Sequence, residues 1–256
     1  MINISTAKII LSLTMLTYTS YLDVKYREVD PKIWLFFGIL GSILTAFEVL
    51  SKNHMLTIIA VNIVLGFLIG IISYYFGLFG GADFLCLFVL SIIHPYPPTK
   101  PLYYIGPIYP FILTIVVNSL LLSLIIPIVN LAKNIRNYQH MLKLRAPLKY
   151  KLIYLFIGYP VSIEKYFNME FAYPLTIFEL YKDKLVVKYR LTFDINEEHE
   201  KHQKKLKELI SKGVLRKDNV IWVTQGIPLL VFITLGYTIS LILGDILMYT
   251  LLTRTL

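Results

Sequence analysis

The sequence predicts an all-α membrane protein with six transmembrane helices and a small α+β cytoplasmic insertion. Of its 256 residues, 56% are apolar and only 16% are charged, a composition far more hydrophobic than that of a soluble domain. The mean hydropathy is +0.65. The apolar residues form six runs, and one long polar stretch separates the fifth run from the sixth.

The six runs lie at about residues 4–22, 33–50, 55–77, 83–94, 107–130 and 226–251. Most of them have the roughly 20 residues that a helix needs to cross a ~30 Å hydrocarbon core. The fourth run has only 12 residues, which span about 18 Å as a helix. We expect its first end to lie below the membrane surface in a wet cleft, after a glycine-rich turn at 77–81. The alternative is a helix that extends into the proline-rich stretch 95–98.

The basic residues are concentrated in two segments. Three of the 25 Lys and Arg residues lie between the first two runs, and 18 lie between Lys133 and Lys217. The positive-inside rule places both segments in the cytoplasm. Six crossings then put both termini outside. No nucleic-acid recognition module accompanies the charge, so we interpret it as a solvated face that touches lipid headgroups and expect no nucleic-acid partner.

This layout divides the chain into three parts. Residues 1–130 are a five-span membrane part, residues 131–225 are a soluble cytoplasmic insertion, and residues 226–256 hold the sixth transmembrane helix. The insertion begins with basic residues among apolar ones, a pattern typical of an amphipathic segment on the inner headgroups.

Two further elements of the insertion are predicted. Phe178–Tyr181 and Leu185–Phe193 alternate in polarity as a β-hairpin does. Asn196–Lys212 has helical spacing of its apolar residues, and Gly213 ends it.

The sequence predicts neither a metal site nor a cofactor. Cys86 is the single cysteine, so there is no disulfide framework and no thiolate cluster. His199 and His202 have i, i+3 spacing near Glu198, but we favour a solvated face over a metal site. Glu48 and Asp245 also lie at apolar positions, where we expect structural roles.

Two aspartates stand out as candidate catalytic residues. Asp23 ends the first apolar run and Asp83 opens the fourth, and by the predicted topology both lie on the cytoplasmic side. A carboxylate near hydrocarbon is costly and marks function. Two neighbouring carboxyls can hydrolyse a peptide bond, because one ionised acid deprotonates water while one protonated acid polarises the carbonyl.

The helix positions suggest how the two acids share the work. Asp83 lies at a helix start, where an anion is favoured, and Asp23 at a helix end, where it is disfavoured. We therefore expect more base character at Asp83 and more of the proton at Asp23, in one coupled titration. Alternatively, Asp23 is a boundary residue and Asp83 a helix cap.

At these residues the chain resembles the archaeal preflagellin and prepilin peptidases, membrane aspartic proteases of the GxGD class. The first resembling motif is Asp23-Val24-Lys25-Tyr26-Arg27-Glu28-Val29. The second is Gly80, Gly81, Ala82 and Asp83, with Ala82 where the class has glycine. The resemblance implies that Asp23 and Asp83 are catalytic and that Gly80, Gly81 and Ala82 support the motif.

The resemblance also implies the reaction and the partner. The expected activity is removal of a short basic leader from preflagellins or pilin-like precursors at the cytoplasmic face. Related bacterial enzymes carry a cysteine zinc ribbon and methylate the new N-terminus. This chain has no such cysteines, so we expect cleavage without methylation.

Two alternatives stay open at this point. One is an intramembrane aspartic protease of the presenilin type, which cuts within a transmembrane helix. The other is a proton or cation transporter that uses the same pair of acids, although no inverted repeat is apparent. The oligomeric state is left open as well.

Overall fold

The computed structural model describes residues 3–51, 56–77, 80–104, 109–182, 184–193, 197 and 199–254. It divides into two compact units. The first unit is Met1–Ser123 with Pro228–Leu256, and the second is Leu124–Ile227. The division expected at 130/131 and 225/226 stays a prediction.

The elements follow one another along the chain. The helices are α1 (Ile4–Tyr26), α2 (Pro31–Ser51), α3 (Leu56–Tyr75), α4 (Gly81–Ile93), α5 (Phe111–Ser123), α6 (Ile125–Arg136), α7 (Tyr138–Lys143), α8 (Leu148–Ile157), α9 (Ile163–Phe167), α10 (His199–Ser211), α11 (Leu229–Ile242) and α12 (Ile246–Arg254). The strands are β1 (Tyr159–Ser162), β2 (Ala172–Pro174), β3 (Thr176–Tyr181), β4 (Lys184–Tyr189) and β5 (Val220–Gln225). The predicted class, mostly helical with a small sheet region, is confirmed.

Among the residues that the structure describes, three stretches of helix are long and apolar enough to cross a membrane. They are Pro31–Leu50, Leu56–Tyr75 and Phe111–Arg136. The apolar helices Gly81–Ile93 and Leu229–Ile242 are shorter. The count of six spans therefore stays a prediction.

Helix α4 is the central element of the first unit. It contacts α1, α2, α3, α5 and α11, and its Cys86, Leu90 and Ile93 are fully buried. The helix ends at Ile93, so the alternative of an extension into residues 95–98 is wrong. A short helix that contacts five neighbouring helices does not have to reach across the bilayer alone.

Polar side chains join the helices inside this unit. Asn62 of α3 donates to the carbonyls of Ser91 and His94 at 2.8 and 3.2 Å and accepts from the Ile112 N–H at 3.1 Å. Such bonds hold helices together in lipid, where apolar contact alone gives little drive for association.

The two further acids at apolar positions both have structural partners. Glu48 pairs with the buried Lys8 at 2.5 Å. Asp245 accepts from the N–H of Met248 at 2.9 Å and thereby caps α12. These contacts agree with the structural roles expected for both acids.

In the second unit, the described residues form two small sheets. The strand order β1-β5-β2 is antiparallel throughout, with Tyr159 opposite Val223 and Ala172 opposite Gln225. Strands β3 and β4 form the predicted hairpin, in the register Thr176 to Tyr189. The second strand ends at Tyr189 rather than at Phe193.

The predicted helix of the insertion is α10, and Gly213 follows it with a φ of +70°. Its expected start at Asn196 lies outside the described residues. Its histidines are half-buried rather than solvated: His199 Nδ1 lies 2.6 Å from the Ala172 carbonyl oxygen, and His202 contacts Glu197.

Glu197 joins Arg190 and His202 in a partly buried charge cluster of the second unit. Arg190 Nη1 donates to both of its carboxylate oxygens, at 2.8 and 2.6 Å. Burial raises the pKa of Glu197, but the charges of Arg190 and His202 outweigh burial and hold that pKa below its usual value. The ion pair therefore stabilises the folded unit above the ordinary carboxyl pKa and is lost as the pH falls through the lowered one.

A first prediction concerns the approach of α5 and α11. A Cβ at Gly236 would lie 2.7 Å from the backbone nitrogen and 2.9 Å from the Cα of Ser119. Backbone atoms, unlike a flexible side chain, cannot change rotamer to relieve such a clash. Gly236→Ala should lower the free energy of unfolding by about 1–3 kcal/mol, measured by chemical denaturation of the full chain in detergent. Gly38→Ala is the matched control, because its new Cβ would meet Val89 at an ordinary 3.6 Å. Equal stability of both variants would contradict the close approach.

A second prediction concerns Glu197. Glu197→Gln should lower the stability of the second unit by about 1–3 kcal/mol at pH 7, and by progressively less below about pH 5. The fluorescence of the buried Trp222, in a Trp34→Phe background, reports unfolding of this unit. Glu200→Gln is the control, since the Glu200–Lys204 pair is 3.9 Å apart and both side chains are about 80% exposed. A pH-independent loss in Glu197→Gln would refute the charge argument.

Candidate active site

Asp83 lies in the first turn of α4, where a glycine begins the helix. Gly80 is the N-cap in extended backbone, and its N–H donates to Asp83 Oδ2 at 2.9 Å. The Asp83 side chain is buried, with 9% of the residue exposed. Gly81 is the first helical residue, and Ala82 packs against the apolar core. The motif residues thus form the start of the helix that presents the carboxyl.

A second glycine sets the position of this turn from outside the motif. A Cβ on Gly70 of α3 would meet the Phe84 ring at 2.5 Å and the Phe84 backbone at 3.2–3.3 Å. Helix α3 therefore packs directly against the turn that holds Asp83.

Asp23 lies in the last turn of α1, partly exposed. One turn earlier, Ser20 and Thr234 share a hydrogen bond of 2.7 Å between their hydroxyls, which ties α1 to α11. The backbone N–H of Leu230, in the first turn of α11, is directed at the Asp23 carboxyl. Asp23 therefore lies at the N-terminal end of a helix other than its own.

The structure brings the two predicted aspartates into one site. The charge of Asp23 acts on Asp83, and the charges of both act on the buried Cys86, one turn further along α4. Arg27, which ends α1, acts on both carboxyls. Two acids that are 60 residues apart in the sequence thus share an environment with one arginine.

The surroundings of the two carboxyls differ. Asp83 is the more buried, and burial disfavours a charge. Both carboxyls lie at the positive end of a helix, Asp83 at the start of α4 and Asp23 at the start of α11, but Asp23 is more open to water. The helix on which each acid lies, taken alone, predicts the base at Asp83. The packing favours the opposite division, with the charge at Asp23 and the proton at Asp83.

Two features of the site were not anticipated. The contribution of α11 requires the packing of distant segments, although Pro228 near the start of the sixth apolar run marks a helix start. The backbone of Arg27 adopts a left-handed conformation, with φ of +58°, which no feature of the sequence predicts. Across the part of the chain that the structure describes, no three His, Cys, Asp or Glu side chains are grouped to hold a metal.

Comparison with known proteins identifies matches along most of the chain. Residues 10–128, which include both aspartates, match the model of the type IV leader peptidase family, and residues 150–246 match the archaeal peptidase A24 C-terminus type II. The preflagellin peptidase of Methanococcus voltae is 25% identical over 243 residues, covering 90% of this chain and 92% of the relative. That of Methanocaldococcus jannaschii is 23% identical over 239 residues, covering 90% and 91%.

Proposed function

Since the chain belongs to the type IV leader peptidase family, we propose that it is a membrane aspartic endopeptidase that removes the short basic leader from preflagellins or archaeal pilin-like precursors. Two relatives named preflagellin peptidase match nearly the whole chain. The single observation that carries the catalytic assignment is the meeting of Asp23 and Asp83 at the N-terminal ends of α11 and α4.

In the proposed mechanism the two carboxyls divide the acid and base work. Asp23 removes a proton from water as the water oxygen bonds to the scissile carbonyl carbon, and Asp83 gives its proton to the carbonyl oxygen. The C–N bond then breaks. The proton on Asp23 passes to the leaving nitrogen, and one hydroxyl of the intermediate returns a proton to Asp83. The pair ends as it began.

The proposed topology has six spans, with the catalytic end in the cytoplasm and both chain termini outside. The connectivity supports it, because the end of α1 and the starts of α4 and α11 meet at one end of the first unit. Lys25, Arg27 and Lys32 lie at this end, as the positive-inside rule requires of a cytoplasmic face. We retain the proposed parts at 1–130, 131–225 and 226–256.

We also propose that α8 lies on the inner headgroups. Leu148, Leu152 and Phe156 share one face at i, i+4 and i+8 and are 71%, 54% and 47% exposed. The exposed Lys149 and the half-buried Lys151 flank this face. An exposed apolar face with flanking lysines suits the boundary of an anionic membrane.

The side chain of Asn134 fixes α8 against α6. Its Nδ2 donates to the carbonyls of Leu155 and Gly158 at 3.0 and 2.7 Å. Because α6 continues the apolar stretch Phe111–Arg136, this contact ties α8 to a helix that is suited to the bilayer.

The catalytic assignment gives a third prediction. Asp23→Asn and Asp83→Asn should each lower kcat/KM by about 1,000-fold or more, because neither half of the acid–base work is dispensable. The purified full chain is reconstituted in vesicles with a preflagellin, and the new N-termini are sequenced. Asp245→Asn is the control, since Asn can still cap α12, and it should keep the wild-type rate.

Other outcomes identify the alternatives. Full activity of either catalytic variant would remove that residue from the mechanism. A new N-terminus deep within the apolar segment indicates cleavage of the presenilin type. Proton or cation flux without cleavage, abolished by the same substitutions, indicates a transporter.

The lipid contact gives a fourth prediction. In a Cys86→Ala background, a spin label at Leu152→Cys should collide more with oxygen than with a water-soluble nickel chelate when the full chain is in anionic vesicles. A label at Lys204→Cys, whose native side chain is 79% exposed on α10, should show the reverse. Preferential collision of the Leu152 label with the chelate would contradict the proposal.

A further inference from the structure

We propose that Arg27 is a positioning residue of the aspartate pair: its fixed positive charge holds the two carboxyls in the singly ionised state that attacks the peptide. This inference rests on the proposed function and adds a residue to it. Arg27 acts through Asp23 and Asp83 rather than on the substrate.

The backbone of Arg27 is the first observation. Its φ of +58° lies in the left-handed region, where glycine and asparagine fit more easily than any longer side chain. Its N–H donates to the Asp23 carbonyl at 3.1 Å and so closes the end of α1. Glycine could close the helix equally well. An arginine in a conformation that disfavours it suggests that its side chain serves a purpose there.

The direction of the side chain is the second observation. The Nε atom of Arg27 is buried. Lys25, two residues earlier, instead lies at the surface, with its ammonium 4.9 Å from the centre of the Tyr26 ring. Two cations at the same helix end are thus placed differently: the Lys25 side chain is exposed, whereas part of the Arg27 side chain is buried.

The charge of Arg27 is the third observation. It acts on Asp23 and on Asp83 alike, and among the described residues no other cation acts on either carboxyl. Two neighbouring carboxyls that share one proton carry one net negative charge. A guanidinium balances that charge and, unlike an ammonium, does not lose its own proton on burial. The pair can therefore stay singly ionised although Asp83 is buried.

Kinetic variants separate this role from that of a helix cap. Arg27→Gln should lower kcat by about 10- to 100-fold and leave KM within a factor of about three, because the basic leader is not bound by a cation. Arg27→Lys returns a positive charge and should recover part of the rate, but less of it as the pH rises, because a buried ammonium can lose its proton. Lys25→Gln removes the same charge from the same helix end and should retain the wild-type kcat.

Arg27→Gly gives the sharpest contrast. Glycine fits the left-handed backbone at this position. The midpoint of thermal unfolding should therefore fall no further in Arg27→Gly than in Arg27→Gln, while kcat should be equally low in both variants. A residue that only caps α1 behaves oppositely, because glycine caps well and would keep full activity. Wild-type kcat in Arg27→Gly or Arg27→Gln overturns the proposal.

A stability cycle tests the same coupling without substrate. Arg27→Gln should lower the unfolding midpoint of the full chain by about 3 °C in the wild type and by less than about 1 °C in the Asp23→Asn/Asp83→Asn background. Equal shifts in both backgrounds overturn the inference. Failure of the wild type to cleave any precursor would instead count against the proposed function, and the cycle still decides the coupling.

Discussion

The structure depends on the placement of two carboxyls at one end of an apolar helical unit. A carboxylate that leaves water needs a compensating charge or hydrogen bond. Asp83 receives the Gly80 N–H at the start of α4, Asp23 faces the Leu230 N–H at the start of α11, and the Arg27 charge acts on both. These features require three segments that are distant in the sequence to meet at one end of the unit.

Small and polar residues make this meeting possible in lipid. Apolar side chains gain little free energy when contacts with lipid are replaced by contacts with one another. Close backbone approach and hydrogen bonds therefore have to hold the helices together. Gly236 leaves room for Ser119, and Gly70 leaves room for Phe84. Ser20 forms a hydrogen bond with Thr234 one turn before Asp23. Each contact lies on a helix that carries or faces a carboxyl. Rigid support of this kind is what a catalytic pair needs, because small displacements separate the two groups from a shared water.

The sequence was informative where local pattern decides the structure. The short fourth run, the glycines before Asp83, the hairpin of β3 and β4 and the helix α10 are all set by neighbours in the chain. The sheet β1-β5-β2 was missed because its strands are three to six residues long and β5 pairs with strands about 50–60 residues earlier. The surroundings of Asp23 were missed for the same reason. The sequence shows that Asp23 lies in the last turn of its own helix, while its preference for a charge also depends on α11 and on the charge of Arg27.

The most direct test of the paired carboxyls is to measure the rate of precursor cleavage by the double variant Asp23→Asn/Asp83→Asn and by each single variant. The uncatalysed rate of cleavage is subtracted from each, and the rates are then compared. Groups that act together on one water lose their whole contribution when either is removed. The account predicts that the double variant is no slower than the slower single variant. Losses that multiply would contradict it, because they would show that the two aspartates contribute independently.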